Sequence, residues 1–333
     1  MLNRHNLCNG DQFRATAPRL NSMTVPTQFG PLTPTIDSFI RYLEAKRTVD
    51  DRALNAFVWQ TLANELPAAT AERPLRVLEV GAGIGTMVER LVDQQMFGHT
   101  EYTALDENPL LIAEFLRRLP SRIQRGKSDI CLESFVGDAL SFTTRAENKC
   151  AWDLLIAHAF LDLVDLPTAV PDLLTCLKPG GLFYFSIVFD GATILQPEID
   201  PIFDTHIEHL YHLAMDRRLN QGQPSGNSRS GRHLLSNLQQ MDGILLAAGA
   251  SDWVVYGGPN GYPADEAFFL HFIIHTIYTA LRDHPELDPD RFSNWIAERH
   301  AQIDSGKLIF VAHQLDILGQ VPKSPAHDKV AGF

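Results

Sequence analysis

The sequence predicts an α/β fold: a mostly parallel sheet of seven strands with helices on both faces. Three observations predict it. Short β-rich runs alternate with helical stretches through the middle of the chain, the order that builds a parallel sheet. Those runs are apolar nearly throughout, as a sheet covered on both faces requires. A glycine-rich turn, Gly81-Ala82-Gly83-Ile84-Gly85, joins the first run to the first helix.

Taken in order, residues 1–33 are polar and aperiodic and read as a flexible tail. Ile36, Phe39, Ile40 and Leu43, then Leu54, Phe57, Val58, Leu62 and Leu66, recur at helical spacing. They predict two helices, broken near Thr48–Asp51, which form a helical cap over 34–72. Glu72-Arg73-Pro74 punctuates the chain, and the main domain is expected to run over 73–320. Its strands are predicted at Arg76–Val80, Tyr102–Asp106, Glu133–Val136, Trp152–Ala157 and Leu182–Phe189, with helices at Thr86–Gln95, Pro109–Leu119 and Asp162–Leu177. Right-handed crossovers then fix most of the topology. Residues 191–230 break the alternation and read as a lid-like helical insertion. A helix is expected at His233–Ala248 and a strand at Trp253–Tyr256. Within 259–305, the helices Asp265–Arg282 and Pro289–Ser305 follow a Gly/Pro-rich loop. Lys307–His313 supplies the last strand, and 321–333 form a second flexible tail.

The totals narrow the function. The chain has 333 residues and a net charge of −12, which repels phosphate backbones, so no nucleic-acid partner is expected. Cys8, Cys131, Cys150 and Cys176 form no C-x-x-C pair and are expected as reduced, structural thiols, with no zinc site. No run reaches the ~18–20 apolar residues of a membrane span. The N-terminus lacks the apolar core of a signal peptide. A cytoplasmic protein with no membrane partner is expected. The apolar N-terminal helices leave room for a homodimer.

The turn carries the chemistry. A glycine backbone approaches a ligand closely and can take φ > 0. The helix that follows offers unpaired N–H groups and the positive end of its dipole. Dinucleotide folds use G-x-G-x-x-G, but Thr86 stands in the sixth place here. The turn instead reads G-x-G-x-G, with Glu79 two residues ahead. Asp106 ends the second strand, roughly 20 residues past the glycines, where an acid accepts from ribose hydroxyls; capping the next helix is the alternative. Asp138, in Phe135-Val136-Gly137-Asp138-Ala139-Leu140, ends the third strand, again with a helix cap as the alternative. Leu177-Lys178-Pro179-Gly180-Gly181-Leu182 stops a helix before the fifth strand.

This set resembles the class I S-adenosylmethionine-dependent methyltransferases, a Rossmann-like family, over about 76–256 of the chain. The resemblance implies S-adenosylmethionine as cofactor. It implies a cofactor site built from Glu79, Gly81, Ala82, Gly83, Gly85, Asp106, Glu107, Gly137, Asp138, Ala139 and His158. It implies that Asp138 accepts from the adenine amino group, and that a residue of the N-terminal helices, Arg47 or Arg52, pairs with the cofactor's carboxylate.

Methyl transfer from a sulfonium needs alignment and exclusion of water more than it needs a base. His158, at the end of the fourth strand, is the first candidate for a base or substrate ligand, with a packing role as the alternative. His206 and His209 in the insertion are further catalytic candidates, and a lid helix is the plainer reading. The three histidines at 206, 209 and 212 would fan across the helix, so no metal site is expected. Ser230-Gly231-Arg232-His233 opens a helix that could hold an anion, or simply be capped. A small-molecule acceptor, methylated at oxygen, nitrogen or carbon, is the expected partner. A non-methylating use of the same cofactor, such as aminopropyl transfer, is the alternative within enzymes; an inactive cofactor-binding regulator is the alternative outside them.

Overall fold

A computed structural model describes residues 4–7, 35–126, 129–220, 222–241 and 244–323. The expected tails fall mainly outside the described residues. Within the first of them, Arg4–Leu7 forms strand β1. Two helices follow, α1 (Ile36–Ala53) and α2 (Ala56–Glu65). They part at Leu54-Asn55 rather than near Thr48–Asp51. Asn55 takes the N–H groups of Phe57 and Val58 at 3.1 Å and so starts the second helix.

The alternating region then reads β2 (Leu75–Val80), α3 (Thr86–Asp93), β3 (Thr100–Asp106), α4 (Pro109–Gly126), β4 (Ile130–Val136), α5 (Ala139–Thr143), β5 (Trp152–His158), α6 (Leu166–Leu174) and β6 (Leu177–Gln196). The expected insertion is α7 (Pro201–Asp216) and a small hairpin of β7 (Leu219–Asn220) and β8 (Gln223–Pro224). After it come α8 (Ser230–Gln240), β9 (Ile244–Ala250), β10 (Trp253–Val255), α9 (Glu266–Leu281), α10 (Pro289–Asp304) and β11 (Ile309–Gln320).

Among the described residues the main sheet has nine strands, two more than the seven expected. Its path is β1-β4-β3-β2-β5-β6-β11-β10, and β9 also pairs with β11. β4, β3, β2, β5 and β6 are parallel, while β1, β9, β10 and β11 pair antiparallel. This is a Rossmann-like order. The strand sequence reverses at β2, between β3 on one side and β5 on the other, and that reversal opens a crevice at the C-terminal ends of the strands.

Two departures have clear causes. The helix expected over His233–Ala248 stops at Gln240, and Ile244–Ala250 becomes β9. Its Leu and Ala residues favour helix locally, but pairing with Ala250–Ile244's partners on β11 satisfies the backbone instead. The strand expected at Leu182–Phe189 extends in both directions. Leu177 already pairs with Trp152, and the register then shifts so that Leu182 meets Leu154. The Pro-Gly-Gly segment is therefore a bulge within β6.

Three cores hold the fold. One face of the sheet packs α2, α3 and α4 through Val58, Leu62, Met87, Leu91, Phe115 and Leu119. The other packs α5, α6 and α8 through Phe142, Leu166, Val170, Leu234 and Leu238. A third core gathers α1, α7, α9 and α10 over the strand ends, around Val49, Ile207, Phe269 and Trp295. Cys131 is disulfide-bonded, against the expectation of reduced thiols, whereas Cys150 and Cys176 are free. Among the described residues no helix is long and apolar enough to cross a membrane.

Candidate functional site

A cavity of about 590 Å³ sits where the sheet crevice meets the third core. One half of its lining is Gly81, Ala82, Gly83, Asp106, Glu107 and Asp138. The other half includes Tyr42, Phe160, Asp162, Tyr211, Trp253 and Phe272.

The glycine turn is built by its neighbours. Ala82 N–H donates to the Leu105 carbonyl at 3.0 Å, which draws the turn across to β3. Gly83 has φ of 54°, and a Cβ there would meet only the Leu43 side chain, at 3.6 Å. The backbone is thus open towards the cavity. Gly85 is different. A Cβ there would press on Phe115 at 2.7 Å, so this glycine lets α3 sit against α4, and it does not line the cavity. The helix start has no side-chain cap, so its first N–H groups are left to a ligand or solvent.

Two carboxylates flank the turn. Asp106 does not cap α4; its Oδ2 accepts from Gly83 N–H and its Oδ1 from Asn108 N–H, both at 2.9 Å. Burial raises its pKa, and those two N–H groups work against the rise. Each oxygen keeps a further lone pair. Asp138 does cap a helix, with Oδ1 accepting from Ser141 N–H at 2.7 Å. Its second oxygen has no partner among the described residues. Gly137 and Ala139 line the same wall. Glu79 lies on the cavity floor, 1% exposed, and its Oε2 accepts from Tyr102 Oη–H at 2.7 Å. Burial pushes its carboxyl up to about 8, so it is mostly protonated at neutral pH.

His158 lines the cavity, but neither ring nitrogen is free. Nδ1 lies 2.9 Å from Ser186 Oγ, and Nε2 lies 3.0 Å from Asp50 Oδ2. A neutral ring protonated on Nε2 satisfies both, donating to Asp50 and accepting from Ser186. Burial lowers its pKa to about 4, with the Lys46 charge adding to the effect. Asp50 is the hub of this cluster. Lys46 Nζ is 2.5 Å from Oδ2, Trp253 Nε1–H donates to Oδ1 at 2.9 Å, and Arg90 lies 3.5 Å away. Burial would raise the Asp50 carboxyl, but Lys46, His158 and Arg90 outweigh it and hold it well below the usual range.

The structure does not bring His206 and His209 to the cavity. On α7 the cavity face carries Tyr211 and Met215, four residues apart. His206 is on another flank, 3.9 Å from Glu286, and His209 is exposed. Arg47 and Arg52 also point elsewhere. Arg47 pairs with Glu89 and Asp93, and Arg52 with Glu266. Arg232, at the start of α8, pairs with Asp190. The cation that α1 does supply is Lys46. Sequence reasoning missed it, along with Tyr42, Asp50 and Asp162. The one sequence signal for the first three is the i, i+4 spacing of Tyr42, Lys46 and Asp50, which places them on one face of α1; Asp162 has none.

No family model matches the sequence, and no curated protein matches it. Solved structures do resemble it in architecture. A proposed type II methyltransferase from Anaeromyxobacter dehalogenans is 17% identical, with a TM-score of 0.46 over 81% of this chain and 97% of that one. Geranyl diphosphate C-methyltransferase from Streptomyces coelicolor is 12% identical, with a TM-score of 0.41 over 79% of this chain and 78% of that one. Phosphoethanolamine N-methyltransferase 2 from Haemonchus contortus is 12% identical, with a TM-score of 0.39 over 80% of this chain and 52% of that one.

Proposed function

We propose that the chain is an S-adenosylmethionine-dependent methyltransferase acting on a small molecule. One observation carries this reading: a single cavity joins an open glycine turn, flanked by two carboxylates, to a chamber walled by aromatic side chains. The residues fit an adenosyl group. Asp106 has lone pairs to spare for ribose hydroxyls, Asp138 has an unengaged oxygen for an amino group, and the uncapped start of α3 completes the cradle. Lys46 on the same wall is paired with Asp50 at 2.5 Å and serves to hold that wall in place. The sulfonium supplies an activated methyl group, so the protein need only align the acceptor and keep water out. The chamber under α1, α7 and α9 serves that end. His158 acts in this scheme by fixing Asp50, which in turn fixes Lys46 and Trp253. The aromatic lining and the net charge of −12 favour a small organic acceptor over a nucleic acid.

Calorimetry with S-adenosylhomocysteine tests the cofactor half. Saturable binding is expected, and absence of heat with both this product and S-adenosylmethionine overturns the proposal. Incubation with methyl-labelled cofactor and analysis of the transferred group separates methylation from other uses of the sulfonium.

A further inference from the structure

Asp162 lies four residues beyond β5 and lines the same cavity. Its main chain is clamped from outside. Arg218 Nη2–H donates to the Asp162 carbonyl at 2.7 Å, and Arg218 Nε–H to the Ser225 carbonyl at 2.8 Å. Ser225 Oγ–H donates to the Leu163 carbonyl at 2.7 Å. Gly226 closes the clamp with φ of 85°; a Cβ there would sit 2.1 Å from the Asp162 carbonyl oxygen. The β7–β8 hairpin thus fixes where this aspartate stands.

The carboxyl is served by its own backbone N–H, and one of its oxygens is left over. Its Oδ1 is fully buried and has no hydrogen-bond partner among the described residues. Native proteins pair the large majority of such atoms, because an orphan keeps the cost of its lost hydration. The nearby cations are spent elsewhere: Arg218 on two carbonyls, Lys46 on Asp50. Burial raises the carboxyl above its ordinary range, against the opposing pull of its own backbone N–H, then of Arg218 and Lys46. Around it the cavity is flat-walled and aromatic. Tyr42 stacks on Phe272 with ring centroids 4.2 Å apart, and Phe160, Tyr211 and Trp253 line the chamber. An unmet acceptor among aromatic walls calls for a donor carried on a planar body.

We infer that Asp162 recognises the acceptor by taking a hydrogen bond from its O–H or N–H, and that the acceptor is an aromatic alcohol or amine. The inference rests on the methyltransferase reading for the word acceptor, but the recognition itself can be tested without it.

The test is calorimetry on the full chain with three isosteric probes, 2-naphthol, 2-naphthylamine and naphthalene, with and without S-adenosylhomocysteine. Either donor probe is expected to bind at least tenfold more tightly than naphthalene; which one does so distinguishes alcohol from amine. Asp162→Leu is expected to erase that preference while leaving the affinities for naphthalene and S-adenosylhomocysteine unchanged. Asp162→Asn is the safeguard should the leucine variant misfold. Its affinity for the donor probes is expected to be flat with pH, whereas the wild type weakens as acid protonates the carboxyl. The charged and titratable groups facing Asp162 are Tyr42 and Lys46 on α1, Tyr211 on α7 and Arg218 behind it. No preference in the wild type, no binding of any probe, an undiminished preference in the leucine variant, or an asparagine variant with the wild-type pH response overturns the inference. Failure of S-adenosylhomocysteine to bind, with the donor preference intact, overturns the methyltransferase reading and leaves the recognition standing.

Discussion

The carboxylate of Asp106 accepts the Gly83 N–H at 2.9 Å, so the acid at the end of β3 holds the turn at the end of β2 in place. The two parts of the cradle are therefore one unit. Asp106→Ala removes this tie, the Asn108 bond and any bond to the ligand together. We expect S-adenosylhomocysteine affinity to fall by the equivalent of about 1–3 kcal/mol, read by calorimetry.

Gly83→Val tests the turn more severely. A β-branched residue at φ of 54° is strained, and its side chain enters the space in front of Leu43. Binding of S-adenosylhomocysteine is expected to fall beyond detection, while the circular dichroism spectrum keeps its wild-type shape. Unchanged affinity would remove the turn from the site.

Glu79 predicts a response to alkali. Its ordinary pKa of 4.5 is pushed up to about 8 by burial. Between those values the unfolded chain releases a proton that the folded chain keeps, so stability falls as pH rises. At about 1.4 kcal/mol per pH unit, the ceiling on the loss is roughly 5 kcal/mol. Glu79→Gln keeps an acceptor for Tyr102 and cannot titrate. Denaturant unfolding of the cofactor-free variant is expected to lose less stability than wild type between pH 5 and pH 8, on the scale of those two values.

His158 predicts the opposite limb. The ordinary imidazole takes a proton near 6.5, but the buried ring refuses it until about 4. Stability therefore falls as pH drops through that window, because the unfolded chain binds the extra proton. His158→Gln is expected to shallow this slope in the same unfolding assay. It will not flatten it, since His300 is likewise pushed down to about 4, by burial and by His271, and remains in the variant.

The insertion is pinned at one buried ion pair. Arg299, 0% exposed, donates to Asp204 on α7 at 2.9 Å and to the Pro197 carbonyl at 2.7 Å. Arg299→Met takes this cation from the partly buried Asp204, which keeps the Trp295 Nε1–H and Ile199 N–H as donors, and is expected to cost about 1–3 kcal/mol in thermal or denaturant unfolding. The Arg299→Met/Asp204→Asn double variant is expected to regain part of that loss.

Much of this was readable in the chain. The strand–turn–helix at Val77–Thr86 and the acids at 106 and 138 depend on local order, and local order survives folding unchanged. The α1 wall was not readable. Lys46 and Asp50 look like an ordinary solvated i, i+4 pair until α9 and β10 cover them, and only then do His158 and Trp253 reach the carboxylate. Asp162 gave no signal at all, because its isolation is a property of residues as distant as Tyr42 and Arg218. β9 failed for a related reason: Ile-Leu-Leu-Ala-Ala favours helix by itself, and only a free side of β11 makes it a strand.

The strands added beyond the expected seven have a consequence for how the molecule behaves in company. β1 lies antiparallel across β4, and β9 and β10 divide the outer side of β11 between them. A bare outermost strand is a template on which another chain can add itself. Among the described residues one rim carries β1, and the other is divided between the seven residues of β9 and the three of β10. Among the described residues, the division of β11's outer side breaks up the long, flat run of unpaired amides from which edge-to-edge aggregation grows.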